Sequence, residues 1–267
     1  MHLTGPKLRY RSIFISDVHL GTRGSRADLL LEFLQRTECE TLYLVGDIFD
    51  GWRMRKSWYW NASFDALLRH VMAMARRGVQ VIYIPGNHDE ALRDWFGLEI
   101  AGISLLPEAV HESADGQKFL VIHGDEFDGV IRYAKFLAYL GDWAYDLALT
   151  LNRLFNAARR RLGYPYWSLS QWLKRQVKEA VKAIDRFEGA LANEAKRRGL
   201  QGVICGHIHH AELRRTNGVQ YMNCGDWVES CTALVEHPDG RFALVDWAAT
   251  QRLSLRAPQP QAALAEA

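Results

Sequence analysis

Cysteine is scarce in this chain, and its few cysteines show neither a disulfide pattern nor a metal-binding pattern. The 267 residues include four cysteines, and none of them belongs to a C-x-x-C pair. Scattered cysteines of this kind indicate reduced thiols in a cytosolic protein. The chain is long enough to be held together by an ordinary apolar core instead. The cysteines are Cys39, Cys205, Cys224 and Cys231.

Long apolar runs are also missing. The best candidate for a membrane span covers residues 136–155, and it is interrupted by Asp142 and Asp146. Because a helix that crosses a bilayer needs about 20 largely apolar residues, none is expected. Residues 1–10 contain no apolar segment of the kind found in a signal peptide. We therefore expect a protein that is soluble or peripherally attached to a membrane.

A strong charge of one sign is absent as well. Lys and Arg total 33 and Asp and Glu total 31, which gives a formal net charge of +2. A balance so close to neutral gives no electrostatic reason to expect nucleic acid as a partner. The oligomeric state has no signal in the sequence.

Apolar segments of two kinds alternate along the first part of the chain. Residues 28–35 and 62–77 have helical apolar spacing, whereas residues 41–45 and 79–84 have the length and composition of buried strands. Strands that alternate with helices predict a largely parallel sheet. Residues 52–60 are expected to form an aromatic and basic loop, for which simple packing and substrate contact are both open interpretations.

Three short segments near the end of the chain predict further strands. They cover residues 218–223, 231–236 and 242–247, and Asn-Gly, Gly-Asp and Asp-Gly turn signals separate them. We expect antiparallel strands that close a second sheet. Residues 258–267 consist mostly of Ala, Gln and Pro, a composition that predicts a disordered tail.

Polar side chains of metal-binding type follow five of the predicted strands. In an open α/β sheet, ligands bind outside the carboxyl ends of the strands, so the five motifs are expected to converge. The spacing of His207 and His209 lets both rings face one point, although a pair of loop histidines is the alternative for this motif alone. The motifs are Asp17-Val-His19, Gly46-Asp47-Ile-Phe-Asp50, Gly86-Asn87-His88-Asp89, His123-Gly124-Asp125 and Gly206-His207-Ile-His209.

In this order, the motifs resemble those of the calcineurin-like metallophosphoesterases, which are D-x-H, G-D-x-x-D, G-N-H-D/E, H-G and G-H-x-H. All five are present with intact ligand residues, and they extend from Asp17 to His209. The resemblance implies an α/β (α+β) fold of four layers, with two mixed β-sheets flanked by helices. It also implies a single domain over residues 1–257, with a helical cap inserted at residues 128–199.

The resemblance further implies a centre of two divalent metal ions. Asp47 would bridge the ions, which would lie about 3.5–4 Å apart and activate a water for attack on phosphorus. Oxygen and imidazole ligands without thiolate suit Mn²⁺, with Fe or Zn²⁺ as alternatives. One ion would be held by Asp17, His19, Asp47 and His209, and the other by Asp47, Asn87, His123 and His207.

The same resemblance gives His88 and Asp50 catalytic roles. His88 would lie over the substrate, oriented by Asp50, and would stabilise the transition state or protonate the leaving oxygen. The alternative is a histidine that satisfies a backbone carbonyl. Asp89 and Asp125 are expected to orient His88 or His123.

The helical insertion separates the fourth motif from the fifth. Helical apolar spacing covers residues 128–155 and 168–198, and the segment is rich in Arg and Lys. A solvated basic face is one interpretation, and a lid or membrane-facing cap that holds an anionic lipid is the other. On the second interpretation Arg159, Arg160 and Lys174 contact the substrate, together with Asn223, whose alternative is a simple turn residue.

Within the family, the chain is most similar to the UDP-2,3-diacylglucosamine diphosphatases of lipid A synthesis. It shares with them the opening Ile-Ser-Asp-Val-His-Leu-Gly, the block Gly-Asp-Ile-Phe-Asp and the insertion. The resemblance implies hydrolysis of the pyrophosphate of a UDP-sugar lipid to UMP and a lipid 1-phosphate. It places the protein in the cytoplasm, peripheral on the inner face of the bacterial inner membrane.

His88 departs from that branch, whose best-known members have Arg at this place. The departure leaves open a sister group that acts on another phosphodiester or phosphomonoester. A DNA nuclease shares the metal motifs, but the mild net charge and the lack of an added DNA-binding region speak against it. A non-catalytic scaffold is a third alternative, but it would be expected to have lost ligands that this chain retains.

Overall fold

The computed structural model of the chain describes residues 7–130, 161–163 and 169–250. In chain order the strands are β1 (Leu8–Arg9), β2 (Ser12–Ile15), β3 (Thr37–Glu38), β4 (Thr41–Val45), β5 (Gln80–Ile84), β6 (Glu99–Ile100), β7 (Ile103–Leu105), β8 (Ala109–Glu112), β9 (Lys118–Val121), β10 (Gly202–Cys205), β11 (Glu212–Thr216), β12 (Val219–Asn223), β13 (Thr232–Glu236) and β14 (Phe242–Asp246). The α-helices are α1 (Ala27–Arg36), α2 (Gly51–Lys56), α3 (Ala62–Arg76) and α4 (Leu169–Arg197), and 3₁₀ turns cover Glu90–Trp95 and Asp125–Val130.

Two mixed sheets form the centre of the molecule. The first has the order β14-β13-β2-β4-β5-β7-β6, and within it β2, β4, β5 and β7 run parallel. The second has the order β11-β12-β10-β9-β8, and within it β9, β10 and β12 run parallel. Because the parallel strands of each sheet share one direction, their carboxyl ends lie along one edge.

Alternation along the strands explains why the sheets stack as layers. Ile13 and Leu42 point from the first sheet towards α1 and α3, whereas their neighbours Phe14 and Tyr43 point towards the second sheet. Side chains alternate between the two faces of a strand, so both faces of the first sheet are apolar and buried. The outer face of the second sheet packs against Phe187 and other residues of α4. The resulting order of helices, sheet, sheet and helix confirms the predicted four-layer fold class.

The helices on the first sheet have clear sequence causes. In α1, the apolar residues Leu30, Phe33 and Leu34 recur at helical spacing and are buried. In α3, the side chain of Asn61 accepts hydrogen bonds from the amides of Ser63 and Phe64, which is the usual arrangement of a helix N-cap. Both helices therefore pack as their sequences predict, and α3 begins at the predicted residue.

Two expectations about secondary structure were wrong. Of the three late segments, only β12 lies in the second sheet, where it is antiparallel to β11 and parallel to β10. The strands β13 and β14 are antiparallel to each other, as expected, but they extend the first sheet, with β13 antiparallel to β2. Part of the expected loop at residues 52–60 is the helix α2, whose N-cap is the side chain of Asp50. A helix of six residues is too short to show an apolar period, which is why the pattern missed it.

Several expectations fall outside the described residues. Of the insertion at residues 128–199, the structure describes α4 and a few neighbouring residues, and the tail at residues 258–267 is not described. The single domain over residues 1–257 therefore stays a prediction. Among the described residues, no helix combines the length and the apolar character that crossing a bilayer requires.

Candidate metal centre

The five motifs lie at the carboxyl ends of parallel strands in the two sheets. Asp17 follows β2, Asp47 follows β4 and Asn87 follows β5, all in the first sheet. His123 follows β9 and His207 follows β10 in the second sheet. Since the two sheets stack, residues far apart in the sequence meet at one edge.

Backbone conformation marks the same residues. Asp17, His19, Asp47, His207 and His209 all have positive φ angles, between 52° and 74°. Among the described residues only three other non-glycine residues share this feature. The left-handed region is costly for residues with a Cβ, so it persists where the surrounding structure enforces it, and such residues cluster at functional sites.

One group of donor atoms consists of Asp17, His19 and His209. Nε2 of His209 lies 3.0 Å from Oδ1 of Asp17 and 3.3 Å from Nε2 of His19. His19 Nε2 lies 3.9 Å from the same Asp17 oxygen. All three donor atoms lie within 4.8 Å of one another, a spacing that one metal ion can fill.

A second group consists of Asp47, His123 and His207, and its donor atoms also lie within 4.8 Å of one another. Nε2 of His123 lies 3.4 Å from Oδ2 of Asp47. His123 Nδ1 lies 2.9 Å from the carbonyl oxygen of Val45, so Nδ1 carries the proton and Nε2 is left to act as the ligand. The two groups meet at Asp47 Oδ2, which is 3.9 Å from His19 Nε2.

Unpaired polar atoms test whether this arrangement suits a metal. Within the described part of the chain, buried Oδ1 of Asn87 has no hydrogen-bond partner, and Oδ1 of Asp17 and Oδ2 of Asp47 accept no hydrogen bond from a residue outside the two donor groups. Buried polar atoms without partners are costly, and coordination to a cation would satisfy them. The donors are oxygen and imidazole nitrogen, which are suitable ligands for Mn²⁺, Fe or Zn²⁺. The residues present therefore fit a pair of divalent cations.

Electrostatics point in the same direction. Burial on its own raises the pKa of Asp47, but His123 and His19 lower it more, and the net pKa lies below the ordinary value. Burial lowers the pKa of His123, but Asp47 and Asp17 outweigh this effect and raise the pKa to about 10. Without a metal, His123 therefore holds a proton beside Asp47, and a cation at that position would replace the proton.

Glycines allow the close approach of these side chains. A Cβ on Gly86 would lie 2.3 Å from Oδ1 of Asp47 and 2.6 Å from Nε2 of His123. A Cβ on Gly46 would lie 2.1 Å from Nδ1 of His123. The glycines of the second and third motifs thus leave the space into which the ligand side chains pack.

His88 lies at the edge of this centre. Its Nδ1 is 3.1 Å from Oδ1 of Asp50, and its Nε2 is 4.0 Å from Oδ2 of Asp47. Its backbone amide donates a hydrogen bond of 2.8 Å to Oδ1 of Asp47. Asp50 is buried and also lies 3.6 Å from Nδ1 of His19, so one carboxylate orients two imidazoles. His88 remains about one-fifth exposed, which leaves it accessible to a substrate.

Asp89 and Asp125 have roles other than those expected. Asp89 accepts hydrogen bonds from the backbone amides of Asp47, Ile48 and Gly86, as well as from the hydroxyl of Tyr83. It therefore holds together the loops of the second and third motifs, and not an imidazole. Asp125 forms an ion pair of 2.7 Å with Arg93. No local sequence signal reports the partners Asp47, Ile48 and Arg93, since each of them lies in a distant chain segment.

Asn223 was also expected in the wrong role. It is fully buried, its Nδ2 donates to the carbonyl oxygen of Gly206, and its Oδ1 accepts from the amide of Gly225. Because both ends of the amide are occupied, Asn223 fixes the turn before His207 and does not face a phosphate. The remaining expected substrate contacts lie outside the described side chains: Arg159 and Arg160 are not described, and Lys174 is described only as part of the helix α4.

Curated relatives resemble the chain over nearly its whole length. A UDP-2,3-diacylglucosamine hydrolase of Aliivibrio fischeri (strain MJ11) is 28% identical over 243 residues, which cover 87% of this chain and 96% of the relative. A protein of the same name from Xanthomonas campestris pv. campestris is 28% identical over 86% of this chain and 96% of its own length. Another from Neisseria meningitidis serogroup B is 28% identical over 80% of this chain and 88% of its own length.

The family model of the calcineurin-like phosphoesterases matches residues 10–211. The matched region contains all five motifs and every residue of the two donor groups. It covers far more than half of the 267 residues. The chain therefore belongs to the calcineurin-like phosphoesterase family.

Proposed function

We propose that the chain hydrolyses the pyrophosphate bond of UDP-2,3-diacylglucosamine, or of a similar UDP-sugar lipid, to give UMP and a lipid 1-phosphate. The observation that carries the proposal is the pair of donor groups that meet at Asp47. The name shared by the relatives supports this substrate class.

The donor groups define how the residues would share two cations. Two divalent ions held by these residues would supply an activated water and neutralise the charge that develops on the phosphate oxygens. Asp47 would bridge them, since its Oδ2 lies between the histidines of both groups. Asn87 would add an amide oxygen to the group of His123 and His207. We propose Mn²⁺ as the native metal, and Fe or Zn²⁺ suit the same donor set.

His88 would act on the leaving group. Asp50 fixes its Nδ1 at 3.1 Å, so Nε2 is the atom that can donate a hydrogen bond or a proton to the leaving oxygen. The resemblance to the lipid A branch implies an arginine at this place, and a protonated imidazole would supply the same positive charge. Unlike arginine, histidine can also release the proton, which suits a general acid.

The membrane lipid in the proposed substrate sets where the protein would act. Its acyl chains would keep it in a bilayer, so we propose a cytoplasmic protein that works peripherally at the inner face of the bacterial inner membrane. The basic cap that was expected to touch this surface includes Arg159 and Arg160, which lie outside the described residues.

Other members of the same fold class could use this centre differently. A sister enzyme would act on another phosphodiester or a phosphomonoester with the same ligands. A DNA nuclease is less well supported, because the net charge is only +2. A scaffold role is disfavoured because the centre keeps its full set of donors.

A substrate comparison tests the proposal. The Mn²⁺-loaded protein is assayed with UDP-2,3-diacylglucosamine, UDP-N-acetylglucosamine, bis-p-nitrophenyl phosphate and single-stranded DNA, and phosphorus NMR identifies the products. We expect efficient turnover of the lipid substrate to UMP, and weak turnover of the soluble sugar nucleotide. Release of UDP instead of UMP, or efficient turnover of DNA alone, would overturn the proposal.

A further inference from the structure

Trp52 is an exposed aromatic residue that the structure holds in one orientation beside the metal centre. Its ring centroid lies 4.3 Å from that of His88, with the two planes tilted by 37°. Its indole Nε1 donates a hydrogen bond of 3.2 Å to Glu90, two residues beyond His88. The residue nevertheless remains 42% exposed.

The helix α2 holds Trp52 in this orientation. Asp50 caps α2 by accepting a hydrogen bond of 2.8 Å from the amide of Arg53, and the same carboxylate holds His88. The amide of Gly51 donates to the carbonyl oxygen of His88, and a Cβ at Gly51 would lie only 2.8 Å from that oxygen. Trp52 is therefore attached to the catalytic loop by backbone and side-chain contacts, and not by a flexible tether.

One face of the Trp52 ring lies against His88. Within the described part of the chain, no other aromatic ring contacts Trp52. A flat apolar surface with a fixed orientation costs little additional entropy when a second ring stacks on it. Aromatic pairs prefer offset stacking at centroid distances of about 4.5–7 Å, for which the exposed face leaves room.

The helix α2 supplies cations next to Trp52, and these are separate from Glu90, which accepts the hydrogen bond of the indole. Arg53, Arg55 and Lys56 follow it in α2 and are exposed. No Asp or Glu occurs between Gly51 and Phe64. A flat aromatic face that adjoins cations and a phosphate-cleaving centre has the features of a nucleotide subsite, because a base can stack on the ring while its phosphates lie near the positive charge.

We propose that Trp52 is the stacking platform for the nucleobase of the substrate, and that Trp52 thereby determines substrate specificity. The inference rests on the proposed function in one respect, namely that the substrate carries a nucleotide. The helix α4 contacts the metal centre at a different place, because Phe187 packs against His207 with ring centroids 6.0 Å apart. On this proposal the nucleotide end of the substrate lies on the α2 side of the centre.

Product inhibition tests the platform without the lipid substrate. The Mn²⁺-loaded protein hydrolyses bis-p-nitrophenyl phosphate, and inhibition constants are measured for UMP and for ribose 5-phosphate, which lacks only the base. We expect UMP to bind about tenfold more tightly than ribose 5-phosphate. Trp52→Ala should abolish this ratio and Trp52→Phe should keep part of it, whereas Trp58→Ala, which removes a tryptophan that is 70% exposed, should leave it unchanged.

A direct binding measurement complements the inhibition assay. Calorimetric titration of UMP and ribose 5-phosphate should give the same ratio of dissociation constants. Of the two ligands, only UMP should quench tryptophan fluorescence, and this quenching should disappear in Trp52→Phe. Equal affinity for the two ligands in the wild type, or an unchanged ratio in Trp52→Ala, would overturn the platform. If the ratio depends on Trp52 while the lipid substrate is not turned over, the proposed lipid substrate fails and the platform stands.

Discussion

Asp47 is the residue on which both donor groups depend, because its Oδ2 faces His19 on one side and His123 on the other. We expect Asp47→Asn to lower kcat by more than about 100-fold, since even residues that only support a metal ligand cost about 10- to 100-fold when removed. The amide retains an oxygen that can accept the hydrogen bond from His88, so the fold should persist. Metal content by mass spectrometry should fall together with activity.

The control for Asp47 is Asp94→Asn, which removes an exposed carboxylate in the 3₁₀ turn that follows the third motif. It should keep both metal content and activity. Normal turnover in Asp47→Asn, with metal still bound, would show that this carboxylate does not bridge two ions.

His88 should behave differently from the ligands. His88→Gln is expected to lower kcat by about 10²- to 10⁴-fold, the usual contribution of a general acid, while metal content stays normal. If His88 protonates the leaving oxygen, the loss should be larger for an alkyl phosphodiester than for bis-p-nitrophenyl phosphate, whose leaving group needs no proton. An equal loss with both substrates would limit His88 to stabilising charge.

At the residue scale, the sequence predicted the donor types but not their supports. Some donors can be recognised by their spacing, which places two side chains on one side of a strand end. They are Asp17, His19, His207 and His209. The role of Asp89 has no such signal, since two of the amides that it holds belong to a motif about 40 residues away. The role of each donor as a metal ligand stays a prediction until metal content is measured.

Glycine spacing is a feature of the strand-to-loop element, and it can be tested there. Gly86→Ala would place a methyl group within 2.6 Å of both Asp47 and His123, so the ligand side chains would have to move. Because a displacement of about 1 Å can cost about 100-fold in rate, we expect activity to fall by that order. Crystal structures or metal titrations of the variant should show disturbed ligands with the sheets intact.

Gly189→Ala provides the matched control for Gly86. Gly189 lies inside the helix α4, and the nearest atom to an added methyl would be at 3.7 Å. Alanine is favoured over glycine in a helix by about 0.5–1 kcal/mol. The control should therefore raise the midpoint of thermal unfolding slightly and leave activity unchanged. A similar loss of activity in both variants would indicate a general effect on folding.

At the element scale, strands and long helices could be predicted, but their partners could not. Alternation and apolar runs locate β13 and β14, yet nothing local shows that β13 pairs with β2 at the other end of the chain. The helix α2 is stabilised by the cap at Asp50, for which the motif had predicted a catalytic role. One side chain thus serves two functions, and a pattern search assigns it one.

For the whole molecule, the order of five motifs carried most of the information. It identified the resemblance to the family, which implied the four-layer fold, and both are confirmed. Residues that meet at a common centre also constrain which strand ends lie close together. Contacts far from that centre had no such constraint. One example is a buried polar cluster that joins the two sheets at the end opposite the metal centre.

Glu236 is the centre of this cluster, and it is completely buried. Its carboxylate accepts hydrogen bonds of 3.0 Å from Arg11, which precedes β2, and of 2.8 Å from the amide of Ala114. It also lies 2.8 Å from Nε2 of His111 in the second sheet, whose Nδ1 faces the hydroxyl of Tyr43 at 3.2 Å. Burial opposes ionisation of Glu236, but these partners outweigh it and lower the pKa below 4.5.

We expect Glu236→Gln to reduce the free energy of unfolding at pH 7 by about 2 kcal/mol, the size of a hydrogen bond to a charged group. Because the pKa of Glu236 is lower in the folded state, its ionised carboxylate stabilises the fold fully at pH values above 4.5, the ordinary pKa. This stabilisation is lost progressively as the pH falls through the pKa of the folded state. Urea unfolding at pH 7 and at about pH 3 should therefore show a gap between wild type and variant that shrinks in acid. Glu229→Gln, which changes an exposed carboxylate, should show no gap at either pH. A gap for Glu236→Gln that is independent of pH would assign the loss to packing, because only the ionised carboxylate can produce the acid dependence.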